Sequence, residues 1–456
     1  VTTKQAKSRT IILDPVLAGH PATKGYVDSL NTAPVKRTRF MSFTNGGNGS
    51  NFYGAQTLTS WSGRFAVRLP VTTTRWRWKV RNYGWATGTT NPSATVTGLV
   101  YGLQANDSEG MGSGLFVNNA ATGLIGSHTA PGDGSWYTSQ WFADPNLQFQ
   151  AGVNHLMAYG FTCPTSRSYL SGAGKCWQHV GDNGLNAINP ANTAGAVSSA
   201  RAGSPLEWVI EYETVTDKLC WLFLGDSIME GVSGPYGTSS TTSITSPIAD
   251  SYPSLWAERA QAIVQNLSLA SITADNFATM PNAYTRTDLA SPGFDGIVIG
   301  LGSNDAANGR TLAQFKASLL AIINNLKTYT GLPNVPIYVA NITPRPGMTA
   351  AQDTVRKTIN DWLSQLPYGI KAVIDMDGAF SVGTGTQTPI KLSHTTDLIH
   401  FSHTGQWRGV AELRATLPPA PAAYSAPANL YQVVTQAQYD ALPANSTSPV
   451  LYIIKD

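Results

Sequence analysis

The stretch "WLFLGDSIMEG", residues 221–231, decides how the second half of the chain is read. Four apolar residues, Trp221 to Leu224, make a run of the length of a buried strand, and Gly225-Asp226-Ser227 closes it with turn chemistry. Ser227 therefore stands at a strand's carboxyl end, either as a polar turn residue or as a nucleophile. Outward from this point the rhythm is regular. Apolar strand candidates, "WLFL" (221–224), "LSLASITAD" (267–275), "DGIVIGLG" (295–302), "VPIYVANI" (335–342) and "IKAVIDM" (370–376), alternate with amphipathic helices. "TLAQ" (311–314) and "TAAQ" (349–352) spell capping boxes, in which a Thr hydroxyl takes an orphan helix N–H and the Gln reaches back. Leu312, Phe315, Leu319, Ile322 and Leu326 share a face after the first; Val355, Ile359, Trp362 and Leu366 share one after the second. This alternation predicts an α/β three-layer domain with a parallel sheet over 218–417, whose sites form at the carboxyl ends of the strands.

Upstream, residues 36–217 read differently. Short strands broken by Gly, Asn, Pro and Ser clusters predict a β-sandwich, jelly-roll-like domain. "RFAVRLPV" puts Phe65, Val67 and Leu69 on one face, and "LEWVIEYE" does the same for Leu206, Trp208, Ile210 and Tyr212. In "RWRWKVR" (75–81), Trp76, Trp78 and Val80 alternate with Arg75, Arg77, Lys79 and Arg81. Two readings fit: a platform for a sugar chain, acidic if the basic face is used, or an amphipathic strand with its tryptophans in the core. Residues 1–35 read as an attachment or connector segment. The Pro/Ala-rich "LPPAPAAYSAP" (417–427) begins a linker, and 418–456 form a linker and tail segment too small for a core of its own.

Composition bounds the function. Charged residues are 12% of the 456, about half the usual share, whereas Gly (43) and Pro (27) are plentiful, as suits turn-rich extracellular or virion-exposed surfaces. A formal charge of +3 does not argue for nucleic acid or an anionic membrane. No apolar run approaches the roughly 18 residues of a membrane span. Three cysteines are too few for a disulfide framework. No Cys/His cluster has metal-site spacing and no Gly-rich phosphate loop follows a strand, so neither metal nor cofactor is expected.

Two further motifs join Ser227. "GLGSND" (300–305) ends the third strand candidate and presents Asn304, whose amide can donate to a developing oxyanion. "DLIH" (397–400) places Asp397 three residues before His400, a spacing that lets the carboxylate orient the imidazole and favours His400 over His403 and His394. A serine, an amide donor and an Asp/His pair at strand ends are the parts of an acyl-transfer site. Asp305 reads as structural, and Asp226 as a turn or packing residue.

Over roughly 218–417 this constellation resembles the SGNH (GDSL-type) hydrolase family. The resemblance implies a Ser-His-Asp esterase: Ser227 as nucleophile and, through its N–H, an oxyanion donor; Asn304 as a second donor; Asp397 and His400 as orienter and base. The family's remaining donor is the N–H of a glycine after the second strand. "DNFATMPNAYT" (275–285) has no glycine, and Pro281 has no N–H, so either a neighbouring N–H, that of Ala278 or Asn282, takes its place or the hole has only the Ser227 N–H and Asn304.

The two ends carry a second resemblance. "DPVLAGHPATKGYVDSLNT" (14–32) and "TQAQYDALPANSTSPVLYIIKD" (435–456) resemble recurrent segments of bacteriophage tail fibres and baseplate proteins. That implies a virion tail protein, trimeric, partnered by other tail or baseplate proteins and exposed to bacterial surface polysaccharide (capsule, O-antigen or exopolysaccharide), from which it removes O-acetyl groups. The alternatives are a receptor-binding fibre that holds glycan without turnover, and a lipase or other acyl esterase. The polar "GVSGPYGTSSTTSITSPIADS" (231–251) after Ser227 favours a small acyl group on a hydrophilic carrier.

Overall fold

The computed structural model describes residues 36–42, 58–83, 90–106, 112–167, 170–180, 185–191, 200–204, 206–216, 218–231, 251–280, 284, 289–383, 389–395, 397–418, 431–435 and 451–455. The tail-like segment 14–32 lies outside them.

The first part is sheet-rich. Its strands are β1 (Lys36–Ser42), β2 (Leu58–Arg68), β3 (Arg75–Arg81), β4 (Ala94–Asn106), β5 (Gly112–Phe116), β6 (Thr122–Ile125), β7 (His128–Ala130), β8 (Tyr137–Thr138), β9 (Asn154–Arg167), β10 (Leu170–Val180), β11 (Ala200–Ser204) and β12 (Glu207–Val215). They form a four-stranded sheet, β1-β12-β3-β8, and a larger one along β11-β10-β2-β9-β4-β5, with β6 and β7 also on β4. Every pairing is antiparallel. The period-2 patterns point their apolar residues inward: Phe65, Val67 and Leu69 are buried, as are Leu206, Trp208, Ile210 and Tyr212. Aromatic rings of the two sheets meet, Phe65 edge-on to Trp208 at 5.0 Å and Trp78 against Tyr159 at 5.5 Å.

Trp76, Trp78 and Val80 are 0% exposed, so these tryptophans are core residues and offer no platform. Their alternates pair across the strand: Arg75 with Glu213 at 2.6 Å, Arg77 with Glu211 at 2.7 Å and Arg81 with Glu207 at 2.6 Å.

The second part is a five-stranded, all-parallel sheet. Its strands are β13 (Cys220–Gly225), β14 (Ile263–Asn266), β15 (Gly296–Gly300), β16 (Ile337–Ala340) and β17 (Ala372–Ile374), in the order β14-β13-β15-β16-β17. Around them run α1 (Ser227–Glu230), α2 (Tyr252–Ala260), α3 (Ala274–Thr279), α4 (Ser303–Ala307), α5 (Leu312–Thr330), α6 (Ala350–Leu363), α7 (Met376–Phe380) and α8 (His403–Thr416). Both spelled capping boxes form, at Thr311/Gln314 and Thr349/Gln352, and Thr273/Asn276 makes a third. Phe315, Leu319, Ile322 and Leu326 are buried on α5, whereas Leu366 falls beyond the end of α6 and is exposed.

One strand differs from the periodicity reading. The second strand is 263–266, and "LSLASITAD" is the chain leaving it. Leu267 and Leu269 still donate their N–H groups to Phe223 and Gly225, which carries the chain along β13 to the sheet's edge. The strand order reverses between β14 and β15, on either side of β13. The crevice of such a sheet opens at that point. At the far end, β18 (Tyr431–Thr435) and β19 (Leu451–Lys455) pair in parallel.

Candidate active site

β13 is buried along its whole length and ends at Gly225, where a Cβ would lie 2.7 Å from the Gly300 carbonyl and from Met229. This close approach lets the chain turn at once into α1. Asp226 caps that short helix, its carboxylate accepting from the Ile228 N–H at 3.0 Å. Ser227 is the first helical residue, 7% exposed, and its own N–H has no partner among the described residues.

His400 joins the two halves of the motif. Its Nε2 lies 2.9 Å from Ser227 Oγ, and its Nδ1 lies 2.6 Å from Asp397 Oδ2. The carboxylate accepts a hydrogen bond from Nδ1–H, which leaves Nε2 to accept from the serine hydroxyl. The pair is held in one tight turn: Asp397 Oδ1 accepts from the N–H groups of Ile399 and His400, at 3.0 and 2.8 Å, and Leu398 takes φ 69°. Partial burial pushes the Asp397 carboxyl up, but its hydrogen bonds with the His400 N–H and ring outweigh that and hold it below the usual carboxylate range. The other two histidines are elsewhere. His403 begins α8 and accepts from Trp407, and His394 meets Ser393 and the Phe380 ring.

Asn304 enters from the end of β15. Gly302, at φ 122°, makes the turn into α4, and a Cβ there would press within 2.5 Å of Ile342. The amide is held at both ends. Its Nδ2 donates to the Ile272 carbonyl at 2.9 Å, and its Oδ1 accepts from Arg345 Nη1 at 3.0 Å. One Nδ2 proton remains. Arg345, which locks the amide against flipping, carries no signal in the sequence because it lies 41 residues away on a loop.

Ala278 is not part of this cluster. It sits in the last turn of α3, packed on the hydrophobic core, and its carbonyl accepts from Asn325 of α5. A helical N–H there is directed at the carbonyl four residues back. Asn282 lies outside the described residues. With the second strand ending at Asn266, the turn after it contains Ser271, exposed and at φ 63°. Only glycine takes that backbone region readily. Ser271 N–H has no partner among the described residues, and its neighbour Ile272 is bonded to Asn304.

Residues 223–408 match the GDSL-like lipase/acylhydrolase family. This part of the chain is a GDSL/SGNH acylhydrolase domain. Among solved structures, a family two carbohydrate esterase from Cellvibrio japonicus is 13% identical, covering 84% of this chain and 98% of its own, with a TM-score of 0.35. A salicylyl-acyltransferase from a tetracycline biosynthetic pathway is 14% identical over 79% of this chain and 83% of its own, TM-score 0.32. A lipase from a goat rumen metagenome is 16% identical over 44% and 97%, TM-score 0.33. No curated protein matches the chain.

Two buried carboxyls underlie the acylhydrolase site. Asp305, 0% exposed, accepts from the Ala274 N–H at 2.9 Å and so ties α4 to the start of α3, a structural task. Asp226 lines a mostly apolar cavity of about 30 Å³, to which Ser303, Asn341, Thr343 and Tyr252 also contribute. Burial pushes the Asp226 carboxyl up to about 7, the nearby Asp305 adding to this and Arg345 opposing it. Its unfolded value is about 3.9. The folded state therefore binds this proton more tightly, and stability falls as pH rises from about 4 to about 7. Asp226→Asn keeps the cap and removes the titration. Thermal melts should show the variant with a shallower loss across that window and a higher melting temperature at pH 8. Equal slopes for the two proteins would contradict the burial argument. Among the described residues, no group of His, Cys, Asp or Glu is placed to hold a metal ion.

Proposed function

We propose that this chain is a serine esterase that removes small acyl groups, acetyl above all, from a bacterial surface polysaccharide, as part of a phage tail fibre or spike. The observation that carries the chemistry is the His400 bridge, 2.9 Å to Ser227 Oγ and 2.6 Å to Asp397. Ser227 Oγ attacks the ester carbonyl as its proton passes to His400 Nε2, and Asp397 stabilises the imidazolium. The N–H of Ser227, the spare Nδ2 proton of Asn304 and the N–H of Ser271 are the donors for the oxyanion. His400 then gives that proton to the departing sugar oxygen, which leaves as the free hydroxyl. Water, deprotonated by the same ring, releases the acyl group from the serine.

The polar segment 231–251 supports a hydrophilic acyl carrier over a lipid. Binding without turnover is the competing reading, since the sequence lacks the glycine donor, and the N–H of Ser271, at φ 63° in the turn after the second strand, is the donor offered in its place. Hydrolysis of p-nitrophenyl acetate, followed by acetate release from O-acetylated polysaccharides, tests the reading. Turnover of long-chain esters in preference to acetyl esters would replace it with a lipase.

The tail-fibre context rests on the two end segments and carries its own expectation. A two-stranded ribbon such as β18-β19 has little stability alone, and association with other copies would order it. The sheet-rich part is read in the same proposal as a sandwich that spaces the esterase from the virion. Light scattering of the full chain should give a trimer. A mass near 48.5 kDa, that of one chain, would contradict it.

A further inference from the structure

The arginine–glutamate ladder of β3 and β12 lies on the outward face of the four-stranded sheet, and two tryptophans lie across it. The Arg75 and Arg77 guanidinium carbons sit 4.4 and 4.5 Å from the centre of the Trp141 ring. Arg81 sits 4.3 Å from that of Trp136, with Lys79 Nζ at 5.7 Å. Such stacking fixes each ring flat against the ladder. The carboxylates beneath are buried, Glu207 at 0% and Glu211 at 5%, whereas both rings are only partly buried. Neither indole N–H has a partner among the described residues, and neither is shut away from solvent.

We propose that Trp136 and Trp141 form a two-ring platform that binds a neutral glycan chain along this face. The two rings cover positions four residues apart on β3, which at the rise of a strand is about 13 Å. That separation suits an extended chain touching both. A pyranose presents a C–H face that stacks on an indole, and its hydroxyls can accept from the free indole N–H groups. Rings already immobilised by their cations lose little freedom on binding. The charge state selects the class of glycan. Each of the three guanidiniums is paired with a carboxylate at 2.6 or 2.7 Å, so three of the four positive charges of the basic stripe are neutralised and an acidic polymer gains little here. This site goes beyond the esterase reading and does not rest on it.

Native gel electrophoresis through soluble neutral polysaccharides (a mixed-linkage β-glucan, a xylan and a galactomannan) and through polygalacturonate tests the platform without requiring turnover. At least one neutral polysaccharide should retard the full-length protein. Trp136→Ala and Trp141→Ala should each weaken that retardation about tenfold in apparent affinity, and the double variant should abolish it. Hydrolysis of p-nitrophenyl acetate should be unchanged in all of them. Trp136→Phe and Trp141→Phe keep a flat ring on the ladder and should bind with intermediate affinity, which keeps the test valid if an alanine variant fails to fold. No retardation in any neutral gel, retardation by polygalacturonate alone, or wild-type affinity in the alanine variants would overturn the proposal.

Discussion

Ser227→Ala is expected to lower ester hydrolysis on the order of a million-fold while leaving the melting temperature nearly unchanged. The size follows from how the three groups act. Without Oγ there is no bond to form with the acyl carbon, and the His400 and Asp397 pair has no proton to move. The small structural effect follows from position. Ser227 is the first residue of a four-residue helix whose cap is supplied by Asp226, and alanine is well tolerated there. His400→Ala should match Ser227→Ala in severity, whereas Asp397→Asn should be equal or milder, since the orienting hydrogen bond is altered and the base remains. Steady-state kinetics with p-nitrophenyl acetate decide this. Wild-type turnover by Ser227→Ala would remove the nucleophile from the scheme, and a severe His403→Ala would move the base.

The second large effect belongs to Asn304. As charge develops on the carbonyl oxygen, the amide that carries the remaining Nδ2 proton is already held by two partners, so this donor needs little reorganisation. Asn304→Ala should reduce kcat by roughly 100-fold or more, with KM little changed, because the interaction strengthens in the transition state. Truncation also leaves Arg345 and the Ile272 carbonyl without a partner, which lowers stability by about 1 kcal/mol. Asn304→Asp separates the two consequences: it is isosteric, keeps an acceptor for Arg345, and has no proton to give the oxyanion. Its kcat should fall at least as far as that of the alanine variant. A loss of less than about tenfold in both variants would show that Asn304 is not a principal donor. Arg345→Ala should produce a smaller loss, about tenfold, through an amide free to rotate.

Both experiments rest on residues that the sequence already displays, and the reason is local. Strand and helix periodicity follow from which face each side chain takes, so the α/β class was readable from 221–376. Capping boxes depend on residues three apart, and those at Thr311 and Thr349 form as spelled. The Asp397–His400 turn is equally local, closed by hydrogen bonds within four residues. What lay beyond the sequence is non-local. Nothing in "LSLASITAD" says that the strand has ended at Asn266, because an apolar loop bonded to β13 has the same composition as a strand. The sign of φ at Ser271 is likewise set by the path between β14 and α3 and has no residue signature when glycine is not used. Hence Ala278, in the segment the sequence pointed to, packs against α5, and Arg345, 41 residues from Asn304, orients that amide. The basic stripe of β3 shows the same division: alternation determined which residues face outward, but only the pairing with β12 and the fold of 136–141 over it decided that its three arginines are neutralised and roofed by tryptophan. A chain can encode its own periodicity, whereas the partner across a sheet is chosen when distant segments pack, by complementarity that no single segment contains.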